Sequence, residues 1–271
     1  MNYDTYIDLI SEKKYEEATN YKNSCIPDVL YKYCWLDDDN KKNEMRLDTL
    51  ERGEIYLSTL DQFNDPFEGK AFVFEEDGDS SHGPSKEICE EFISQINSHV
   101  RICCFANPDE KHQNMPMWAY YANNHRGFCV EYRIVNRQKK FIYPVSYDPI
   151  RVKGNNFIGR LIMGIYRMAI EGKDSLEMSG EMSAYNHMAY LSLTCKHVSW
   201  RHEKEFRALV PIEHGEYFSA VPSKIYVGMN CAKEHEDRLL SIANNFPECE
   251  VYKMQETIDN TDFCLKQERI N

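Results

Sequence analysis

A chain of 271 residues with a net charge of −12 is long enough to bury roughly three quarters of the surface of its unfolded form, so its core needs no disulfide or metal staple. Hydrophobic residues at 42% and aromatic residues at 13% place it among globular proteins and exclude a disordered chain. The acidic balance excludes extended, sequence-independent binding to duplex nucleic acid, which needs a lysine and arginine surface. It leaves room for a local nucleotide pocket, or for a single strand held by stacking.

The ten cysteines form no CxxC pair, which argues against a structural zinc site. The first residues carry no basic stretch followed by an apolar one. No apolar run approaches the roughly 18 residues of a membrane helix. These features predict a cytoplasmic protein with free thiols and no membrane contact.

In chain order, residues 3–23 read as a helical hairpin with a loose apolar face of Tyr6, Ile7, Ile10 and Tyr15. The expectation is an N-terminal helical appendage over 1–24 ahead of one domain over 25–271. Residues 29–36 read as a buried strand, 37–43 as an acidic loop, and the stretch up to Arg52 as a helix with Gly53 at its C′ position. Strands follow at 54–59 and 70–76, and the low-apolar segment 77–85 reads as a loop. Residues 85–98 form an amphipathic helix pattern with Ile88, Phe92, Ile93 and Ile96 on one face. Residues 100–106 read as a buried strand in which Cys103 and Cys104 face opposite sides. A short helix opened by Pro116 comes next, then strands at 127–134 and 140–148 that look paired. A mostly helical insertion spans about 155–194. Strands at 205–212, 224–230, 248–254 and 263–270 and a helix at 231–245 complete the chain. The order lacks regular βαβ alternation, so the fold class is α+β: a mixed, mostly antiparallel sheet core with peripheral helices.

Four segments stand out chemically. In WRHEKEFR (200–207), an extended backbone would place Arg201, Glu203, Glu205 and Arg207 on one face. Two such carboxylates raise one pKa unless an arginine neutralises them. This suits acid–base work or stabilisation of a developing cation, or else an ordinary solvated strand. In LSTLDQFNDPFEG (57–69), Asn64-Asp65-Pro66 is a turn with an Asx hydrogen bond, and Phe63 and Phe67 would anchor it. The loop either clamps a ligand or is simply a well-made turn. In MWAYYANNHRGF (117–128), Trp118 and Tyr121 share a helix face, His125 ends the helix, and Gly127 lets the chain reverse. That pair is either core or a stacking platform. In VLYKYCW (29–35), Tyr31 and Tyr33 share a strand face and Lys32 points away, the pattern of a core strand. The sequence contains no GxxxxGK[ST], GxGxxG, HExxH or GxSxG.

Taken in this order, LYKY (30–33), STLDQFNDPFE (58–68), MWAYYANNHRGFCVEY (117–132) and WRHEKEFR (200–207) resemble the bacterial domain-of-unknown-function family 2971. More remotely, the layout is similar to the ADP-ribosyltransferase superfamily, although no arginine or histidine stands on the first strand. That second resemblance implies an ADP-ribosyltransferase-like fold and a transferase that uses NAD as a substrate. By the same resemblance Tyr31 to Tyr33 hold NAD, Ser58 closes the nicotinamide pocket, Glu205 is catalytic and Glu203 orients the acceptor. Tyr31, Lys32, Tyr33, Ser58, Asn64, Asp65, Trp118, Tyr121, His125 and Arg207 form the expected cofactor-binding set, with no metal. The implied setting is a toxin or antiphage defence effector acting on RNA, DNA or protein, with an antitoxin or immunity partner. Two other readings stand beside it: a metal-dependent nuclease using Asp65, Glu68, Glu203 and Glu205, and a non-catalytic binding module.

Overall fold

The computed structural model describes residues 1–76, 84–107, 114–172, 180–257 and 263–271. Two helices open the chain, α1 (Tyr3–Ser11) and α2 (Tyr15–Ser24), and the Asn2 side chain caps the first by accepting from the amides of Asp4 and Thr5. After β1 (Val29–Cys34) comes α3 (Asn40–Glu51), which starts inside the stretch read as an acidic loop. The cause is Asp39, whose side chain caps the helix at Lys42. Gly53 follows this helix with φ +68, as its C′ position requires. The segment 54–59 yields only a short strand, β2 (Glu54–Tyr56), and 70–76 yields β3 (Phe72–Val73).

The expected amphipathic helix is α4 (Lys86–Ser98), capped by Ser85. It buries Cys89 and Ile93 while Ile88 is exposed. Next come β4 (Val100–Ala106), α5 (Met115–Tyr121), β5 (Phe128–Arg133), α6 (Asn136–Lys139), β6 (Ile142–Pro144), β7 (Ser146–Asp148) and β8 (Val152–Lys153). The insertion is helical where described: α7 (Asn155–Ile170), α8 (Gly180–Ala189) and α9 (Leu191–Thr194). β9 (Cys195–His197) leads through a 3-10 segment, Val198–Glu203, into β10 (Glu205–Pro211). The chain closes with β11 (Tyr217–Ser219), β12 (Pro222–Val227), α10 (Lys233–Ala243), β13 (Glu250–Glu256) and β14 (Leu265–Arg269). The loop read at 77–85 falls largely outside the described residues.

The main sheet has eight strands in the order β14-β13-β12-β5-β1-β4-β10-β6. Its neighbours are antiparallel except β12 and β13, which run parallel. The class is therefore α+β with a mixed, mostly antiparallel sheet. The strands within 127–134 and 140–148 do not pair with each other. β5 lies between β1 and β12, whereas β6 pairs with β10 at the sheet edge. Alternation decides which side chains meet which layer. One face carries Leu30, Cys103, Phe105, Phe128, Val130, Phe206, Ala208 and Val227, packed with Leu47 and Leu50 of α3 and Leu239 and Ile242 of α10. On the other face Tyr31, Cys129 and Tyr226 pack with Trp118 of α5, and Ile102, Tyr143 and Leu209 pack with Leu193 of α9. Cys103 and Cys104 do face opposite sides, since Cys104 packs with the second group.

β1 and β4 part company early. They share the single register pair Tyr31↔Ala106, whereas β1 makes six pairs with β5. Further along β4 the place of β1 is taken by Ser58, bridged to Ile102. The sheet is thus splayed beside Lys32 and Tyr33.

The helical hairpin lies against the insertion. Lys22 is 1% exposed; its ammonium donates to the carbonyls of Lys139 (2.7 Å) and Ile142 (3.1 Å) and sits 4.5 Å over the Tyr143 ring. His187 of α8 packs between Tyr3, Tyr6 and Tyr143. Among the described residues no helix is long and apolar enough to cross a membrane.

Candidate functional site: a buried carboxylate and cation chain

Residues 200–204 are not a strand. They finish the 3-10 segment, and Lys204 then takes a left-handed conformation (φ 45) before β10 begins at Glu205. Arg201 and Lys204 are consequently exposed. Glu203 and Glu205, on either side of this left-handed residue, still converge on one ammonium. Both are buried, at 2% and 5% exposure.

What joins them is Lys196 on β9. Its ammonium donates to Glu203 Oε2 at 2.6 Å and to Glu205 Oε2 at 3.2 Å, and it lies 4.9 Å over the Trp200 ring. Arg207, fully buried, donates from Nε to Glu205 Oε1 at 2.8 Å and from a terminal nitrogen to Glu68 Oε2 at 2.9 Å. At the other end the Tyr121 hydroxyl donates to Glu203 Oε1. A chain of alternating charge results: Glu68, Arg207, Glu205, Lys196, Glu203, Tyr121. Three carboxylates face two cations, so the chain keeps a negative excess. Of the two outcomes the sequence left open, a raised carboxylate or one neutralised by an arginine, the structure has the second. Burial alone would push Glu205 up, but the Arg207 guanidinium and the Lys196 ammonium outweigh it and hold the carboxyl well below the usual range. Burial and then Glu203 push the Tyr121 phenol up, so it remains a donor. Burial and then Glu205 push the Cys104 thiol up, which keeps it protonated and a poor nucleophile.

The chain forms one wall of a pocket of about 100 Å³, lined also by Tyr31, Lys32, Tyr33, Phe63, Asn64, Cys104, Phe105, Ala106 and Met117. It opens where β1 and β4 splay. Of the residues expected from sequence, Glu203, Glu205, Tyr31, Lys32, Tyr33, Asn64 and Tyr121 line it. The rest do not. Ser58 lies outside the lining, and its backbone bridges Ile102 at 2.8 Å in both directions. Asp65 accepts from the Phe67 amide at 2.9 Å, the expected Asx turn, and lines a groove of about 730 Å³ on the other side of Phe63. Phe67 is 56% exposed and anchors nothing; Phe63 alone packs inward. Trp118 is wholly buried, in a T-shaped contact with Tyr33 (5.2 Å) and stacked with His125 (5.7 Å), so it offers no open stacking platform. Arg207 stands behind Glu205 rather than in the pocket. Tyr31 lines the wall but donates its hydroxyl to Glu131 at 3.0 Å.

The reversal after α5 is made by Asn123, Asn124 and His125, each left-handed (φ 47, 52 and 66), and not by Gly127. Gly127 is required for a different reason. A Cβ there would lie 2.0 Å from the Cys34 carbonyl oxygen, so only glycine lets this turn close on β1.

Sequence reasoning missed Lys196 altogether. CKH (195–197) has no motif character, and the only available signal was indirect: two glutamates buried together demand a cation. Glu68 entered only as a nuclease candidate, yet it is the second partner of Arg207.

The fold and site define an α+β domain with a buried carboxylate pair on the wall of a small pocket at a split in its sheet. The family model described as "Protein of unknown function (DUF2971)" matches residues 117–208, the stretch from α5 to β10. The chain carries this family's pattern there, with LYKY and FNDPFE lying ahead of the matched stretch. No curated protein and no solved structure matches the chain.

Proposed function

We propose that the protein is a NAD-using glycosyl-transfer enzyme of ADP-ribosyltransferase-like type, with Glu205 as the group that stabilises the transition state. The observation that carries this is the polarity of the pocket. A cation, Lys32, lines one part of it, and a carboxylate chain with excess negative charge lines another. NAD has the matching polarity, an anionic pyrophosphate beside a cationic nicotinamide riboside. In the reaction the bond from ribose C1′ to the nicotinamide nitrogen breaks. Its electron pair leaves with nicotinamide, which becomes neutral, and the ribose develops oxocarbenium charge. An ionised carboxylate fixed beforehand stabilises that charge without reorganising. An acceptor hydroxyl, amine or water then forms the new bond to C1′ and gives up its proton, for which Glu203, hydrogen-bonded to Tyr121, is the nearby base. RNA, DNA or protein would be the acceptor. A toxin or defence effector restrained by an antitoxin or immunity partner is the setting such chemistry suits.

The test is nicotinamide release from NAD, followed by mass spectrometry with and without RNA, DNA and protein acceptors. Release by the intact protein that Glu205→Gln abolishes, with cooperative unfolding preserved in the variant, is the expected result. Release at an unchanged rate in Glu205→Gln would overturn the assignment.

A second reading, a non-catalytic binding module, draws on the same chain: Glu203 and Glu205 already have protein partners for all four carboxylate oxygens. The metal-dependent nuclease reading has less support. Arg207 and Lys196 stand between its carboxylates, and among the described residues no three acidic, histidine or cysteine side chains converge as a metal would require.

A further inference from the structure

A pocket of about 100 Å³ is too small for a dinucleotide, since sites for ligands of that size hold about 300–1,000 Å³. It admits one ring. A second cavity of about 420 Å³ lies on the other face of the sheet, against α3, and is floored by Leu50, Ile55 and Phe128 of the main core. Lys32 lines both cavities. Gln62 lines the larger one and its neighbours Phe63 and Asn64 line the smaller. Both meet at the place where β1 and β4 share only the pair Tyr31↔Ala106. Lys32, beside this gap in the sheet, therefore borders both cavities.

The larger chamber has unmatched positive charge, although the protein is strongly acidic overall. Lys32 faces the thiols of Cys34, Cys103 and Cys104. Arg46 donates to the neutral side-chain oxygen of Asn43 at 3.3 Å, and among the described residues neither Lys32 nor Arg46 is in an ion pair. The one acid of the lining, Glu54, is already held by Arg52 at 2.8 Å. At the mouth the rings of Tyr56 and Tyr217 stand 6.0 Å apart at 66°, both exposed. An aromatic pair, an apolar floor and two unpaired cations together fit a base with a phosphate group attached.

We infer that this chamber, entered through the split beside Lys32, binds a nucleoside diphosphate: Lys32 and Arg46 hold the phosphates, and Tyr56 and Tyr217 cover the base. The inference rests on the NAD reading and deepens it, because it places the ADP half of the substrate on one face of the sheet and the reacting ribose on the other.

The probe is ADP, titrated calorimetrically into the full chain. ADP binds, and adenosine, which lacks the phosphates, binds far more weakly. Arg46→Glu lowers ADP affinity by about tenfold or more, the loss of at least one charge-assisted hydrogen bond, and Arg46→Lys restores much of it. Tyr217→Ala, at an exposed position where folding is not at stake, also weakens ADP. Absence of ADP binding, or equal binding by the intact protein, Arg46→Glu and Tyr217→Ala, overturns the inference. The two proposals fail separately. Nicotinamide release with ADP binding indifferent to Arg46 removes the chamber and keeps the reaction; ADP binding through Arg46 without any nicotinamide release does the reverse.

Discussion

Two buried glutamate clusters lie on the same face of the sheet, and they differ in what surrounds them. Glu131 on β5 accepts from Tyr31 (3.0 Å), Tyr226 (3.2 Å), Ser223 (2.8 Å) and the partly exposed Lys224 (3.3 Å). Burial alone would push it up, but the Ser223 hydroxyl, Lys224 and Tyr31 hold it below the ordinary range. Glu205 is held low by two buried cations, Arg207 and Lys196. Glu131 lines none of the cavities described above, whereas Glu203 and Glu205 form a pocket wall. A buried, ionised carboxylate is thus not by itself a site. Access and polarity of the neighbouring space separate the two clusters.

The sharpest way to break this comparison is to remove a cation. Arg207→Met leaves Glu68 and Glu205 buried without their shared partner and costs about 3–5 kcal/mol. Glu131→Gln keeps most of its hydroxyl donors and costs about 1–3 kcal/mol. Urea unfolding of both variants checks the ranking, and equal losses would erase the distinction.

Acid sharpens it next. The folded-state pKa of Glu205 lies below its unfolded value, so its contribution is present above the ordinary carboxylate range and disappears as pH falls through the folded value. Stability measured from pH 6 downward should fall less steeply in Glu205→Gln than in the intact protein. Lys22 gives the same sign in a higher pH window. Burial lowers its pKa to about 7, so the unfolded chain binds the extra proton between there and the free lysine value, and stability rises with pH through that window. Lys22→Met should remove this rise, read by thermal unfolding between pH 7 and 10.

The smallest expected effect comes from paired hydroxyl deletions. Tyr31→Phe and Tyr121→Phe each remove one hydrogen bond to a buried glutamate and cost about 1–3 kcal/mol. Tyr121→Phe should also slow nicotinamide release in proportion to the freedom it gives Glu203. Tyr31→Phe should leave release close to that of the intact protein.

The sequence by itself determined the layers. Helical periodicity found α4 and α10, apolar runs found β1, β4, β5 and β10, and their order implied a mixed α+β sheet, because these signals are local and repeat along the chain. It also marked Glu203, Glu205 and the Tyr31–Tyr33 strand as chemically unusual. Local reasoning placed the strand from Glu205 but left the backbone of Trp200–Lys204 open, since period-two charge alternation over a few residues does not distinguish a strand from a 3-10 segment ended by a left-handed residue. Only the tertiary structure decided the pairing of β6 with β10, the burial of Trp118, the bridging role of Lys196 and the split beside Lys32. Each depends on residues distant in sequence. Electrostatic neutralisation, strand register and cavity shape are set by which elements become neighbours, and no window of sequence around WRHEKEFR contains that information.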